Sequence, residues 1–387
     1  VGGTSKMSLE LFTDTVACGR QSATHGEALL NLLGGDLDFH DQSSGYASHN
    51  FHSFPAKFPP QLPRKFIEAL TAQGDTVLDP MMGSGTTVLE AYLSGRRAVG
   101  FDIDPLSLLI STVKVSPLDQ ILVTETGNEI VWQARIAARK KYRELSNLLD
   151  TRWDVKTREF VDYWFAHETQ IELLALLSEI EQVNDEVVKA FFKIALSSII
   201  ITKSGGVSFA FDLAHTRPHR AKAVIGEGGR VVIKEDKAKS SAGRMKLLTK
   251  KLRSPLDEFE KRFLQNLKGI PKSQAGLFQP RLALGNAQDL SLPDMSVDLI
   301  VTSPPYASNA IDYMRAHKFS LVWLGYSLED LGLKRKDCIG SEIVEEFEFT
   351  ALPARTAKIV EKVASRDNKK GRVLHRYYSE MTRTLME

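Results

Sequence analysis

Runs of apolar residues at helical spacing alternate along this chain with short, continuous apolar runs of strand length. Leu62, Phe66, Ile67 and Leu70 predict a helix over 62–72 with a proline in its first turn. Asp75 to Asp79 reads as a short buried strand. A glycine loop follows, then a helix over 86–93 ended by Gly95. Ala98 to Phe101 is a second strand, after which Asp104 and Pro105 have the form of an N-cap and first helical residue, opening a helix to about Val113. Residues 124–202 are mostly helical, with apolar spacing in Ile171, Leu174 and Leu177 and again in Phe191, Ala195 and Ile199. Further on, the pattern predicts a helix over 256–267, strands at 282–284 and 297–301, a helix over 310–324 and helical C-terminal segments. The first fifty residues are polar apart from a short helical pattern near 26–33.

Strands that alternate with helices make a mostly parallel, doubly wound α/β sheet. The second and third strands lie roughly 180 residues apart, where a βαβ unit needs only about 30. That interval is expected to hold an inserted helical and basic subdomain. The chain therefore divides into a polar segment (1–50), a first half of the α/β domain (51–120), the insertion (121–275) and a second half (276–387). It opens on Val1 and ends at Glu387 inside a helical pattern (Tyr377, Tyr378, Met381, Leu385), the look of a longer sequence cut short, with further strands expected beyond it. No internal repeat is visible.

Composition narrows the class. A chain of 387 residues with 43% hydrophobic and 25% charged residues is an ordinary globular protein able to bury a core. Its two cysteines, Cys18 and Cys338, make neither a disulfide framework nor a metal cluster and fit a reducing cytoplasm. The most apolar stretch, Phe191 to Ile201, falls far short of the ~18 residues that span a bilayer, and the first residues do not read as a signal peptide. Net charge is +2, but its distribution is uneven. Residues 217–253 carry 12 basic and 3 acidic side chains, leaving 38 basic against 45 acidic elsewhere. Arg217, Arg220, Lys222, Arg244, Lys246 and Lys250 in this segment are candidates for tracking a phosphate backbone, although a charge run is also what a solvated loop looks like. His215, His219 and His317 lack the spacing of metal ligands, and no metal site is expected.

Two motifs carry chemistry. The first runs from Val77 to Thr87: a strand ending in Asp79-Pro80, a loop with Gly83 and Gly85, and a helix opening at Thr86. Glycines let the backbone approach a ligand, and a helix N-terminus offers free N–H groups. Asp102 ends the next strand, where an acid can accept hydrogen bonds from ribose hydroxyls. No lysine follows the glycines, so this is not a phosphate loop; the ligand carries an adenosine but need not carry phosphates. In the second motif, the strand 297–301 delivers Ser303-Pro304-Pro305-Tyr306 at its carboxyl end. Proline fixes φ and constrains the residue before it, so the carbonyls of this turn point in set directions. A serine hydroxyl and a backbone carbonyl can accept both hydrogens of an exocyclic amine, leaving its lone pair aimed at an incoming methyl group. Tyr306 offers a stacking face for a base. Asn309, Asp312, Tyr313 and Lys318 follow and are candidates for the same pocket.

Asp-Pro-x-x-Gly-Ser-Gly-Thr-Thr at 79–87 with Thr-Ser-Pro-Pro-Tyr at 302–306 resembles the DNA amino-methyltransferases, especially the cytosine-N4 group. The resemblance covers about residues 50–115 and 280–325. It implies a Rossmann-like fold, S-adenosylmethionine as donor, double-stranded DNA as substrate and a flipped base held by Ser303, Pro304, Pro305 and Tyr306. It also implies that the segment His52 to Pro60, with Lys57 and Phe58, closes over the donor's methionine end. Asp289, in the turn Gly285 to Asp289, would face the donor's adenine. A cognate restriction endonuclease is a further partner of such enzymes. Serine at 303 suggests cytosine N4, where aspartate would suggest adenine N6. Transfer would be direct and in line, without a covalent cysteine intermediate, on a base taken out of the stack. Three rival readings share these residues: an adenine-N6 DNA methyltransferase, an RNA amino-methyltransferase acting on a tRNA guanine, and a catalytically silent nucleic-acid-binding module.

Overall fold

The computed structural model describes residues 22–54, 57–202, 206–213, 218–226, 229–234, 249–270, 277–307, 313–344 and 346–387. Residues 1–38 and 39–387 form two compact units. In the first, Ser22–Gly34 is a helix, α1.

The second unit is organised on a four-stranded parallel sheet. Its strands are β1 (Thr76–Asp79), β2 (Arg97–Asp102), β8 (Arg281–Leu284) and β9 (Leu299–Ile300), in the order β8-β2-β1-β9. Helix α2 (Gln61–Leu70) precedes β1, α3 (Thr86–Leu93) joins β1 to β2, and α4 (Pro105–Lys114) leaves β2. Val77 and Leu78 are fully buried, as a strand covered on both faces requires. Neighbour order reverses beside β1, with β2 on one side and β9 on the other. Open α/β sheets bind ligands at the carboxyl ends of strands at such a switch point.

Helices α2, α3 and α4 and strands β1 and β2 fall within a residue or two of the sequence expectation because their signals are local. Gly95 has φ +71° and stops α3. Asp104 accepts from the Leu106 N–H at 2.9 Å, with Pro105 at the first helical position, and so caps α4. The last strand is shorter than expected, two residues rather than five.

Between β2 and β8 stand α5 (Gln120–Lys140), α6 (Tyr142–Thr151), α7 (Val155–Trp164), α8 (His167–Glu181), α9 (Glu186–Ile200) and α10 (Pro255–Leu267). Asp119, Asp154, Asp185 and Ser254 cap four of them. Their apolar faces meet α4 in one core. Phe191, Phe192, Phe259 and Phe263 pack there edge-on or tilted, alongside Leu106 and Ile110. A Cβ at Gly127 would lie 2.7 Å from the Phe263 ring, so glycine lets α5 and α10 approach. Among the described residues before α10 are two small sheets: β3 (Ala210–Asp212) with β4 (His219–Arg220), and β5 (Ala223–Ile225) with β6 (Val231–Lys234) and β7 (Thr249–Lys251). After β9 come α11 (Tyr313–Leu321), α12 (Leu328–Asp337), α13 (Ala354–Ala364) and α14 (Asn368–Met386). Phe319 and Trp323 join the same core as the α5–α10 helices. Among the described residues, no helix is long and apolar enough to cross a membrane.

Candidate active site

The glycine loop is held by groups from β2 and α4. Gly83 (φ +49°) donates its N–H to Asp102 Oδ2 at 2.8 Å, and the Gly85 N–H donates to the Met82 carbonyl at 2.7 Å. Gly85 has φ +74°, and a Cβ there would lie 2.5 Å from Ser111 Oγ. Both the left-handed backbone and the contact with α4 therefore demand glycine. The Ser84 carbonyl accepts from the buried Lys114 ammonium at 2.5 Å.

The Ser303–Tyr306 turn is tied to this loop at its root. Val301 donates its N–H to the Leu78 carbonyl at 3.1 Å, and the Thr302 hydroxyl donates to Asp79 Oδ1 at 2.7 Å. Asp79, at the end of β1, also accepts from the Met81 N–H at 3.2 Å. One carboxylate thus fixes the start of both motifs. Above it lies a cavity of about 650 Å³ with Gly83, Ser84 and Thr86 on one side and Ser303, Pro304, Pro305 and Tyr306 on the other.

Residues 31–111 match the DNA methylase family. A type II methyltransferase of Kocuria varians, M.MvaI, is 25% identical over 377 residues, covering 91% of this chain and 75% of that protein. M.BsoBI of Geobacillus stearothermophilus, also a type II methyltransferase, is 25% identical over 295 residues, 72% of this chain and 52% of that protein. This chain thus spans about three quarters of the first relative and about half of the second. A tRNA (guanine(10)-N2)-dimethyltransferase of Methanocaldococcus jannaschii is 32% identical over 108 residues, 24% of this chain and 30% of that protein. No solved structure matches at comparable significance. These likenesses support an amino-methyltransferase.

Methyltransferases of the matched DNA methylase family use S-adenosylmethionine, and the cavity suits a cationic sulfonium. Phe54 packs over the loop, 3.5 Å from where a Gly83 Cβ would stand, and stacks on Tyr313 with ring centroids 4.8 Å apart. Aromatic faces attract cations. Asp79 and Asp102 line the same space, and burial pushes their carboxyl groups up to about 6 and about 7. A bound cation would stabilise their ionised forms.

Most of the residues expected to touch the donor line this cavity: Lys57, Phe58, Asp79, Pro80, Gly83, Thr86 and Asp102. Gly85 lies behind the loop against α4. Asp289 is exposed and is not on the cavity wall, where Asn286 and Ala287 of the same turn stand instead. Asp102 has a structural task that its position alone did not reveal: its two oxygens accept from the Gly83 and Asp104 N–H groups.

Among the basic candidates, Lys250 requires correction. It is 8% exposed, and its ammonium donates to the Ser208 and Ala210 carbonyls at 2.5 and 2.6 Å, so it braces β3 and β7 and cannot reach a phosphate. Burial lowers its affinity for the proton to about 7. The Arg220 guanidinium lies over the Tyr163 ring, 4.2 Å from its centroid, while Lys222 is exposed. Arg217, Arg244 and Lys246 lie outside the described residues, as do His215, Asn309 and Asp312. Tyr313 is on the cavity wall, whereas Lys318 turns to the Phe160 ring at 5.0 Å.

Sequence reasoning missed three features. His317 and Asp104 form a buried pair at 2.5 Å that joins α11 to the start of α4. The four-residue spacing of Tyr313 and His317 on α11 predicts their ring contact, 5.8 Å between centroids, but no spacing points to a partner at the start of α4. Beneath the loop, Glu90 accepts from the Tyr46 hydroxyl at 2.8 Å and pairs with His49 at 2.6 Å, while Lys57 donates to the His49 carbonyl at 2.9 Å. Burial lowers the proton affinity of His49, Lys57 and Lys114 and raises that of Tyr46, which Glu90 reinforces. The third is a cavity wall built from residues 335–342 and 367–373, far down the chain, for which no motif gives a sign.

Proposed function

We propose that this protein transfers a methyl group from S-adenosylmethionine to the exocyclic amino nitrogen of a flipped base in double-stranded DNA, N4 of cytosine. The observation that carries the reading is the single cavity shared by the glycine loop and the Ser-Pro-Pro-Tyr turn, joined through Thr302 and Asp79. The type II methyltransferase relatives favour DNA as the substrate, and serine at 303 favours cytosine.

The donor supplies an activated methyl group and departs as the thioether. Ser303 Oγ and the carbonyl of Pro304 accept the two amine hydrogens, so the nitrogen lone pair faces the methyl carbon. As the N–C bond forms, the C–S bond breaks, and the amine afterwards releases one proton to solvent. Tyr306 stacks on the base. Rate enhancement comes from placement of the two reactants, in keeping with the absence of a titratable side chain from Ser303 to Pro305. The first half (51–120) and last part (276–387) act as the methyltransferase domain. The segment 121–275 reads the target, with Arg220 and Lys222 beside the phosphate backbone, and Arg217, Arg244 and Lys246 assigned to the same task. A restriction endonuclease of the same specificity would be its functional counterpart.

Incubation of unmethylated plasmid DNA with the protein and methyl-deuterated donor, followed by mass spectrometry of the nucleosides, should yield labelled N4-methylcytosine. Labelled N6-methyladenine would overturn the base. The tRNA methyltransferase likeness over 108 residues favours a second reading, methylation of a guanine amine in RNA. Labelled product from bulk tRNA and none from plasmid would establish it.

A further inference from the structure

Beside the Ser303–Tyr306 turn, the loop Cys338 to Glu342, between α12 and α13, lines the same cavity. It is fixed to α14 at three points. Arg376 donates to the Lys336 carbonyl at 2.6 Å on one flank and to the Ile343 carbonyl on the other. Glu380 accepts the Gly340 N–H at 2.7 Å in the middle and the Arg376 Nε–H at 2.8 Å. Arg376 and Glu380 are 6% and 1% exposed. A buried ion pair contributes little net stability, since desolvation offsets its attraction, so stability alone is a poor reason for this one. What it holds is more telling. Gly340 has φ +78°, and a Cβ on it would lie 3.6 Å from the Tyr306 carbonyl oxygen. The loop therefore lies against the backbone of the acceptor turn. A second tie, Arg315 to Glu342 at 3.1 Å, anchors it to the helix that follows that turn.

We infer that the loop Cys338–Glu342 is the outer wall of the nucleobase pocket, and that Arg376 and Glu380 are positioning residues that set its distance from Tyr306. The inference rests on the proposed methylation of a base amine. Cys338, Ile339, Gly340 and Ser341 line the cavity, a run of mostly small residues that leaves room for the flat face of a ring. The side chains of Arg376 and Glu380 bond to Lys336, Gly340 and Ile343, on the acceptor side of the cavity. Loss of the clamp should therefore separate acceptor from donor.

Two measurements test this with the full chain. Glu380→Ala should raise the KM for plasmid DNA by about tenfold or more while the donor Kd stays within about twofold, and Glu380→Gln, which keeps an acceptor for Gly340, should restore the KM to within about threefold. Equal changes in donor Kd and DNA KM, or no rescue by glutamine, would reduce the pair to a structural staple and overturn the inference. The second measurement needs no change in the clamp. In a Cys18→Ser protein, N-ethylmaleimide on Cys338 should abolish transfer to DNA and spare donor binding, and excess plasmid should slow the alkylation. An alkylated protein that methylates DNA at the unmodified rate overturns the inference alone. An unmodified protein that binds donor and never methylates DNA removes the proposed function, and the wall with it.

Discussion

The donor side of the cavity is buried and bonded from beneath, whereas the acceptor side is open and held chiefly at its root. Asp79, Ser84 and Thr86 are 2%, 4% and 5% exposed, and Tyr306 is 60% exposed. The glycine loop rests on Asp102, Lys114 and the Phe101 carbonyl. The Ser303–Tyr306 turn has Thr302 and the short β9 behind it. A site for a small, constant ligand can be completed in advance. A site for one base drawn from a long polymer has to admit it, and preorganisation there is left to prolines and to the 338–342 loop beside them.

That contrast predicts different symptoms for damage on each side. Ser303→Ala should have the largest effect on turnover, lowering kcat by about 10²-fold as for other lost orienting hydrogen bonds, with unfolding free energy unchanged within about 0.5 kcal/mol because the residue is exposed. Chemical denaturation alongside single-turnover assays checks both. Gly85→Ala should do the reverse, costing about 1–3 kcal/mol of stability through the left-handed backbone, with the Ser111 contact adding to it, and weakening the donor. A Gly85→Ala protein of normal stability would mean that the loop is not preformed.

A pH titration sharpens the same contrast. Burial holds Asp102 near 7 and Asp79 near 6 in the folded protein, above the ordinary carboxylate range. Such raised acids favour the fold most fully at low pH, and that contribution fades as pH rises through about 6–7. Binding a cationic donor favours the ionised forms and releases protons. Donor Kd should therefore be about three- to tenfold weaker at pH 5.5 than at pH 8, and Asp102→Asn should flatten the profile. The smallest effect belongs to the basic segment: Lys222→Ala should lower the salt slope of DNA binding by about 1, whereas Lys250→Met should leave that slope alone and cost about 1–3 kcal/mol of stability through its two lost carbonyl contacts. Equal slopes for both variants would remove Lys222 from the phosphate track.

The stretch from Thr76 to Lys114 was legible nearly residue by residue, because its decisive signals are local: a positive φ that only glycine tolerates comfortably, an Asp-Pro cap, a short apolar run. Lys250 was misread for the opposite reason. Charge along the sequence says nothing of whether a side chain turns inward to carbonyls of another strand. Asp102 ends β2 where the apolar run predicts, yet its bonds to Gly83 and Asp104 depend on how β2 meets the loop. The clamp of Arg376 and Glu380 lies 70 residues or more from the Ser303–Tyr306 turn, and nothing in its own helical spacing announces a pocket.

A crystal structure with S-adenosylhomocysteine bound tests the shared cavity most directly. The account requires its sulfur to lie between the Gly83–Thr86 loop and Ser303–Tyr306, facing the prolines, with the ribose toward Asp102. A ligand seated elsewhere, or one whose sulfur is walled off from Ser303, would contradict it.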